Sequence, residues 1–160
     1  MRIGVISDTH IPRRRQSLPE EVLRIFSGVE MILHAGDIND LSVLRELNAI
    51  ALTEAVAGNT DGPGLVDSLG ERRLLELAGF KVGLTHGHLG RGASTPERAF
   101  SLFRDADVIV FGHSHQPYNR VHRGVLLLNP GSATDRRREP HCSVALLTLG
   151  ETAQAEILRF

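Results

Sequence analysis

Short, nearly continuous apolar runs alternate with polar and amphipathic stretches along the first third of the chain. Arg2–Ser7 (RIGVIS) is β-branched and bounded by polar residues, and it predicts a buried strand; Met31–Ala35 and Ala51–Ala57 read the same way. Between them, Ser17-x-x-Glu20 fits a capping box that opens a helix to about Phe26, and Leu41–Leu47 reads as a second helix. A β-α-β-α-β run of this kind predicts three parallel strands joined by right-handed crossovers.

The rest of the chain changes register. Arg73–Leu77 and Lys81–Thr85 flank a turn at Ala78-Gly79, Tyr118–Val121 and Val125–Leu128 flank Arg123-Gly124, and Val144–Leu149 and Ala153–Leu158 flank Gly150-Glu151. Ser94-x-x-Glu97 predicts a helix to about Arg104, and Val108–Phe111 a further strand. Parallel units followed by hairpins predict an α/β fold of two mixed sheets packed face to face with helices outside. The expected core is Ile3, Val5, Ile6, Ile32, Leu33, Val56, Val82, Leu84, Val108, Val110 and Phe111. The Gly- and Pro-bearing segment Gly62–Glu71 is expected to be a mobile loop. With 160 residues and no repeat or long linker, residues 1–160 are expected to form one domain.

Composition narrows the function classes. A formal net charge of −1 argues against a protein that coats nucleic acid or binds a membrane surface electrostatically, so a stable nucleic-acid complex is not expected. No apolar run approaches the roughly 18–20 residues of a membrane span. Met1–Ser7 is too short for a secretory h-region and runs straight into polar residues, so a cytoplasmic location is expected. The single Cys142 allows no internal disulfide, and its apolar surroundings suggest a small buried hydrophobe.

Chemistry gathers where the apolar runs stop. They are followed by Asp8-Thr9-His10, by His34-Ala35-Gly36-Asp37, by Gly58-Asn59-Thr60-Asp61, by His86-Gly87-His88 and by Gly112-His113-Ser114-His115. In α/β sheets the carboxyl ends of parallel strands are where ligands bind. A metal pair needs oxygen and imidazole donors, a carboxylate able to touch both ions, and open positions for substrate. Strand spacing would send Asp8 and His10 the same way, and likewise His113 and His115. Glycines before Asp37 and Asn59 would let each donor turn inward. Asp-x-His alone means little, Gly-Asp or Gly-Asn-x-Asp alone is more often an ordinary turn, and Gly-His-x-His alone is evenly balanced between packing and function. All of them in this order, each after a strand, are not accounted for by turns.

The set Asp-x-His, Gly-Asp, Gly-Asn, His and Gly-His-x-His resembles the signature of the calcineurin-like metallophosphoesterase superfamily, over nearly the full length from Ile3 to the Asn129–Ser132 turn. Within it the chain is most similar to small prokaryotic phosphodiesterases of the YfcE type, close in fold to the retromer subunit Vps29. The resemblance implies a four-layer α/β/β/α sandwich. It also implies one metal held by Asp8, His10, Asp37 and His115, and a second by Asp37, Asn59, His86 and His113, with Asp37 as the bridge. The cofactors implied are two divalent ions, Mn²⁺ by family habit, with Fe, Zn, Co or Ni compatible with the donors. The implied reaction is hydrolysis of a small phosphodiester or phosphomonoester by in-line attack of a hydroxide held between the metals, with Asp37, Asn59 and His86 as catalytic residues. The alternative is a Vps29-like interaction scaffold. Small relatives form dimers or tetramers, so a homo-oligomer is an expectation.

One position departs from the family pattern. Many members carry, directly after the motif Asn, a His read as the acid for the leaving oxygen; here it is Thr60, which cannot supply a proton in that way near neutral pH. Asp61 is expected to position the turn or a ligand. His34 is expected either to orient a ligand or to be an ordinary satisfied polar residue, and His88 to lie at the pocket rim. His122 and His141 have no chemical context. Two arginine triplets, Arg13–Arg15 and Arg136–Arg138, are candidates to steer a phosphate or are simply solvated charge.

Overall fold

The computed structural model describes every residue from Met1 to Phe160. Along the chain run β1 (Arg2–Ile6), α1 (Glu20–Ile25), β2 (Met31–His34), α2 (Leu41–Asn48), β3 (Thr53–Ala55), α3 (Pro63–Leu69) and β4 (Arg72–Leu77). They are followed by β5 (Phe80–Thr85), α4 (Thr95–Ser101), β6 (Val108–Val110), β7 (Tyr118–His122), β8 (Val125–Asn129), β9 (Ser143–Leu149) and β10 (Ala153–Arg159).

The strands form two five-stranded mixed sheets. In the first, ordered β10-β9-β1-β2-β3, the expected parallel triplet β1, β2 and β3 is flanked by the antiparallel C-terminal hairpin. In the second, ordered β4-β5-β6-β8-β7, β5, β6 and β8 are parallel and the outer strands β4 and β7 antiparallel. Alternation along the strands explains the layering. Ile3, Val5 and Leu33 face Val82, Leu84, Val108, Val110 and Leu128 across the gap between the sheets. The opposite faces of β1 and β2, through Ile6 and Ile32, pack on Val22 and Phe26 near α1 and on Val43 and Leu47 of α2. Ile109 and Leu127 pack on Ala99 of α4. The result is helices, sheet, sheet and helix, and all eleven expected core residues are fully buried. Gly4 is where α1 seats: a Cβ there would come within 2.9 Å of the Phe26 ring.

Several local expectations are corrected. Gly62–Glu71 is not a loop throughout: Pro63 stands at the first turn of α3, and Gly70, with φ 68°, ends it. This is the usual asymmetry of Pro at the start and Gly past the end. Ser17 caps nothing, because α1 starts at Glu20 behind Pro19, which has no side chain to accept a hydrogen bond. The Ser94–Glu97 capping box does form. Cys142 is half-buried rather than a core residue. No helix is long and apolar enough to cross a membrane.

Both parallel triplets point their carboxyl ends to the same edge of the sandwich. Asp8, Asp37 and Asn59 follow β1, β2 and β3, while His86 and His113 follow β5 and β6. The two sheets therefore deliver their donors to one crevice from opposite sides.

Candidate metal centre

The donors reach the crevice by a backbone route that strand periodicity does not describe. Asp8 and His10 have φ of 54° and 46°, and His113 and His115 have 69° and 60°, all left-handed, so neither pair sits at strand spacing. Asp37 and Asn39 are left-handed as well, at 57° and 71°. Gly36, at φ 91°, makes the sharp turn expected of it. Gly58 acts differently: a Cβ there would overlap Asp37 Oδ1, so it permits close approach of two loops.

The two aspartates are arranged alike. Asp8 Oδ2 accepts from the Ser7 hydroxyl at 2.7 Å and from His113 N–H at 3.0 Å. Its Oδ1 is fully buried with no hydrogen bond, although His115 Nε2 lies 3.2 Å away. Asp37 Oδ1 accepts from Thr60 N–H at 2.9 Å, leaving Oδ2 facing His86 Nε2 at 3.4 Å and His10 Nε2 at 3.6 Å. In each case the protein satisfies one carboxylate oxygen and leaves the other aimed at imidazole nitrogens.

Three histidines are committed from behind. His86 Nδ1–H donates to Ala35 O at 2.7 Å, His115 Nδ1–H to Asp135 O at 2.6 Å, and His10 Nδ1–H to Asn39 Oδ1 at 3.2 Å. These oxygens can only accept, so Nδ1 carries the proton and each neutral ring presents its Nε2 lone pair to the crevice. Asn39 cannot flip to reverse this, because its Nδ2 donates to Thr60 O at 2.9 Å. His10 Nε2 and His115 Nε2 then lie 3.3 Å apart, and His86 Nε2 lies 3.1 Å from Asn59 Oδ1, both contacts between two acceptors. His113 Nδ1 meets the same Asn59 oxygen at 2.9 Å.

Such a convergence of lone pairs is stable only around positive charge. In the metal-free molecule the two carboxylates favour positive charge on the imidazoles around them. Burial opposes an imidazolium at His86, but Asp37 and Asp8 outweigh burial and raise its pKa; at His115 burial is likewise outweighed by Asp8. Burial would raise both carboxyls, yet His115 and His86 hold Asp8 below the usual range, and His86 and the Thr60 N–H hold Asp37 well below it. His113, pushed down to about 4 by burial and by His86, stays neutral. A divalent cation satisfies the same set without protons. Asp8, His10 and His115 offer donor atoms within 4.8 Å of one another, and so do Asp8, Asp37 and His86. The buried, unpartnered Asp8 Oδ1 and the mixture of imidazole, carboxylate and amide oxygen fit a metal of the Mn–Zn series.

The remaining expected residues lie around this centre. His34 is fully buried behind it: Nδ1 accepts from Gly36 N–H at 3.2 Å, so Nε2–H donates to Thr9 Oγ1 at 3.1 Å. It thereby joins the Asp37 turn to the Asp8–His10 loop without entering the crevice, and burial pushes its pKa down to about 3. Asp61 accepts from Gly58 N–H at 2.7 Å and Asn39 N–H at 2.6 Å, clamping two loops. The Thr60 hydroxyl turns to Asn39 Nδ2. His88 pairs with Glu71 at 3.2 Å beside the His86 ring, and Arg13 lines a cavity against His10. His122 and His141 are exposed. Sequence reasoning missed Asn39, Ser7, Asp135 and Ser132, whose hydroxyl donates to Asp8 O at 2.7 Å. Asn39 stands two residues past Asp37 and could have been suspected. Asp135 acts through its carbonyl, which leaves no side-chain signal.

Comparison with known proteins agrees with this geometry. The family model for the calcineurin-like phosphoesterase superfamily domain matches residues 1–152, and the chain belongs to that superfamily. A protein of Methanothermobacter thermautotrophicus named "Probable metallophosphoesterase" is 44% identical, the match covering 99% of this chain and 92% of that one. A phosphodiesterase of Methanocaldococcus jannaschii is 32% identical over 82% of this chain and 83% of its own. Among solved structures, a Vps29 variant from Entamoeba histolytica matches with TM-score 0.81 and 25% identity over 100% and 99% of the two chains.

Proposed function

We propose that this metallophosphoesterase is a phosphodiesterase that works with two divalent cations, Mn²⁺ being the expected activator. The observation that carries the reading is the convergence of Asp8 Oδ1, Asp37 Oδ2, Asn59 Oδ1 and the Nε2 atoms of His10, His86 and His115 with no protein donor among them. Asp8, His10, Asp37 and His115 would hold one cation, and Asp37, Asn59, His86 and His113 the other. Bound there, such ions supply Lewis acidity that activates water at neutral pH and neutralises charge on the phosphoryl oxygens.

The chain's own residues supply position. The saturated oxygens of Asp8 and Asp37 fix each carboxylate in rotation, and the Ala35, Asp135 and Asn39 oxygens fix each imidazole tautomer. Thr60, tied to Asn39 and Asp37, offers no acid, so substrates with good leaving groups should react best. Metal analysis of purified protein, followed by hydrolysis of bis(p-nitrophenyl) phosphate with Mn²⁺ restored, tests the reading. Asp37→Ala should lower the rate to about 1% or less, since the shared carboxylate is gone. A variant that kept more than a few percent of the native rate would end the proposal.

The likeness to Vps29 favours a second reading, an interaction scaffold of this fold. Hydrolysis by the native chain that is lost in Asp37→Ala argues against it. No hydrolysis with any restored metal argues for it.

A further inference from the structure

Two cavities adjoin the metal centre at His10 and His115, and both are lined by arginine. One, about 340 Å³, is bounded by His10, Arg13, Arg14, Thr60, Asp135 and Arg137. The other, also about 340 Å³, is bounded by Ser114, His115, Gln116 and the Arg136–Glu139 turn. Arg137 belongs to both, and neither has a hydrophobic residue in its wall. Each opens beside a metal-facing histidine, His10 or His115, whose rings stack 5.2 Å apart. The far side of the centre, past His86, carries the Glu71–His88 pair and Arg98, whose guanidinium is already engaged by Gly87 O and Thr95 Oγ1, each at 3.1 Å. Unengaged guanidinium charge therefore lies on the His10–His115 side.

The arginines are not equally free. Arg14 Nε lies 3.1 Å from Asp135 Oδ2, and an Arg136 N–H donates to the Glu139 carbonyl at 2.8 Å. Arg13 and Arg137 are exposed and engage no carboxylate or carbonyl in the molecule. Arg137 is moreover held at φ 47°, in the left-handed region, within the turn that Glu139 N–H closes on Arg136 O. Two unpaired guanidiniums from distant loops therefore share one polar cavity wall adjoining the centre. Guanidinium forks suit phosphate oxygens, and a wall without apolar side chains does not suit a lipid or aromatic arm.

We infer that Arg13 and Arg137 bind a second phosphate, so that the preferred substrate is a small phosphodiester one arm of which ends in a further phosphomonoester. The inference rests on the phosphodiesterase reading for the reacting bond, but not for the second phosphate. The reacting diester sits at the metal centre with its phosphorylated arm over His10, and the other arm passes the Glu71–His88 side.

The test uses the dinucleotide TpT and its 5′-phosphorylated form pTpT. Binding to the folded, metal-free protein is read by calorimetry, where hydrolysis does not interfere. The native chain should bind pTpT at least about tenfold more tightly than TpT, the scale of one charge-assisted contact. The preference should fall as salt is raised. Arg13→Met with Arg137→Met, both at exposed positions, should bring the ratio to near one while the melting temperature is kept. Equal binding of the two ligands by the native chain overturns the inference, and so does a preference that survives the double substitution. Kinetics with Mn²⁺ restored then separates the two readings. A phosphate preference without hydrolysis of either dinucleotide or of bis(p-nitrophenyl) phosphate leaves the second-phosphate site standing and removes the phosphodiesterase.

Discussion

Asp61 carries no metal-facing atom, yet its removal should loosen the centre measurably. Its Oδ1 accepts from Asn39 N–H at 2.6 Å and its Oδ2 from Gly58 N–H at 2.7 Å, so one carboxylate holds the loop after β2 to the loop after β3. A hydrogen bond to a charged group contributes about 1.5–3 kcal/mol, but both bonds are only part-buried and water replaces part of each; a net loss of about 2–3 kcal/mol is expected for Asp61→Ala. At this chain length that lowers the melting temperature of the chelated protein by roughly 4–12 °C. The metal should feel it too. Asn39 orients His10, and Gly58 precedes Asn59, so Mn²⁺ affinity should fall on the order of 10- to 100-fold, as for other losses of support behind a ligand. Asp61→Asn keeps one acceptor oxygen and should lie between. Urea or thermal melts of the chelated proteins and titration with Mn²⁺, followed by the spectrum of the free ion, read both quantities. Native metal affinity in Asp61→Ala together with an unchanged melting temperature would refute the clamp.

Two further outcomes follow from the packing behind the donors. Gly58→Ala drives a methyl group into Asp37 Oδ1 and should cost about 1–3 kcal/mol of stability and most of the metal affinity, both read in the same melts and titrations; an alanine variant with native Mn²⁺ binding contradicts the close approach. His34, held by burial at about 3 against 6.5 in the open, binds its proton later than the unfolded chain does. Its contribution is therefore complete above pH 6.5 and is lost as pH falls from 6.5 towards 3. The stability gap between native and His34→Gln, both metal-free, should change by about 1.4 kcal/mol per pH unit inside that window, and a flat gap sinks the assignment.

How far the sequence carried the reading depended on which physical rule set each feature. Burial periodicity decides strands, and so the eleven core residues, the parallel triplet and the final hairpins were legible. That the Asp, Asn and His residues after the strands come together was legible because polar groups of that kind are costly at strand ends without a shared task. The backbone route was not. Asp8 and His10 look like an extended pair by spacing, but left-handed conformations set by long-range bonds, such as His10 N–H to Asp37 O and Thr134 Oγ1 to Thr9 O, bring them together. Ser17 was misread because a cap needs the helix to start beside it, and Pro19 moved the start to Glu20. Helix α3 was missed although Pro63 and Gly70 marked both its ends, because glycine and proline were weighed as breakers rather than by position.

Left-handed residues other than glycine are concentrated at the centre: Asp8, His10, Asp37, Asn39, His113 and His115 all adopt φ between 46° and 71°. Each such residue costs about 1 kcal/mol or more relative to glycine, an amount that counts against a total stability of roughly 5–15 kcal/mol. The chain uses glycine where only a turn is needed, as at Gly28 and Gly124, so retaining Asp and His at these angles is not a requirement of the fold. His113 gives the cleanest separation, because it is only half-buried and its ring nitrogen meets Asn59 alone. In chelated protein His113→Gly should leave stability unchanged or raise it by up to about 1 kcal/mol, since relief of the strained angle offsets the freedom glycine gains when unfolded. With Mn²⁺ present the order should reverse, because stabilisation by a bound ion scales with its affinity and the variant has lost a donor. If His113→Gly is the less stable protein in both conditions, the imidazole serves the fold itself, and the strained backbone at this corner is not maintained for the metal.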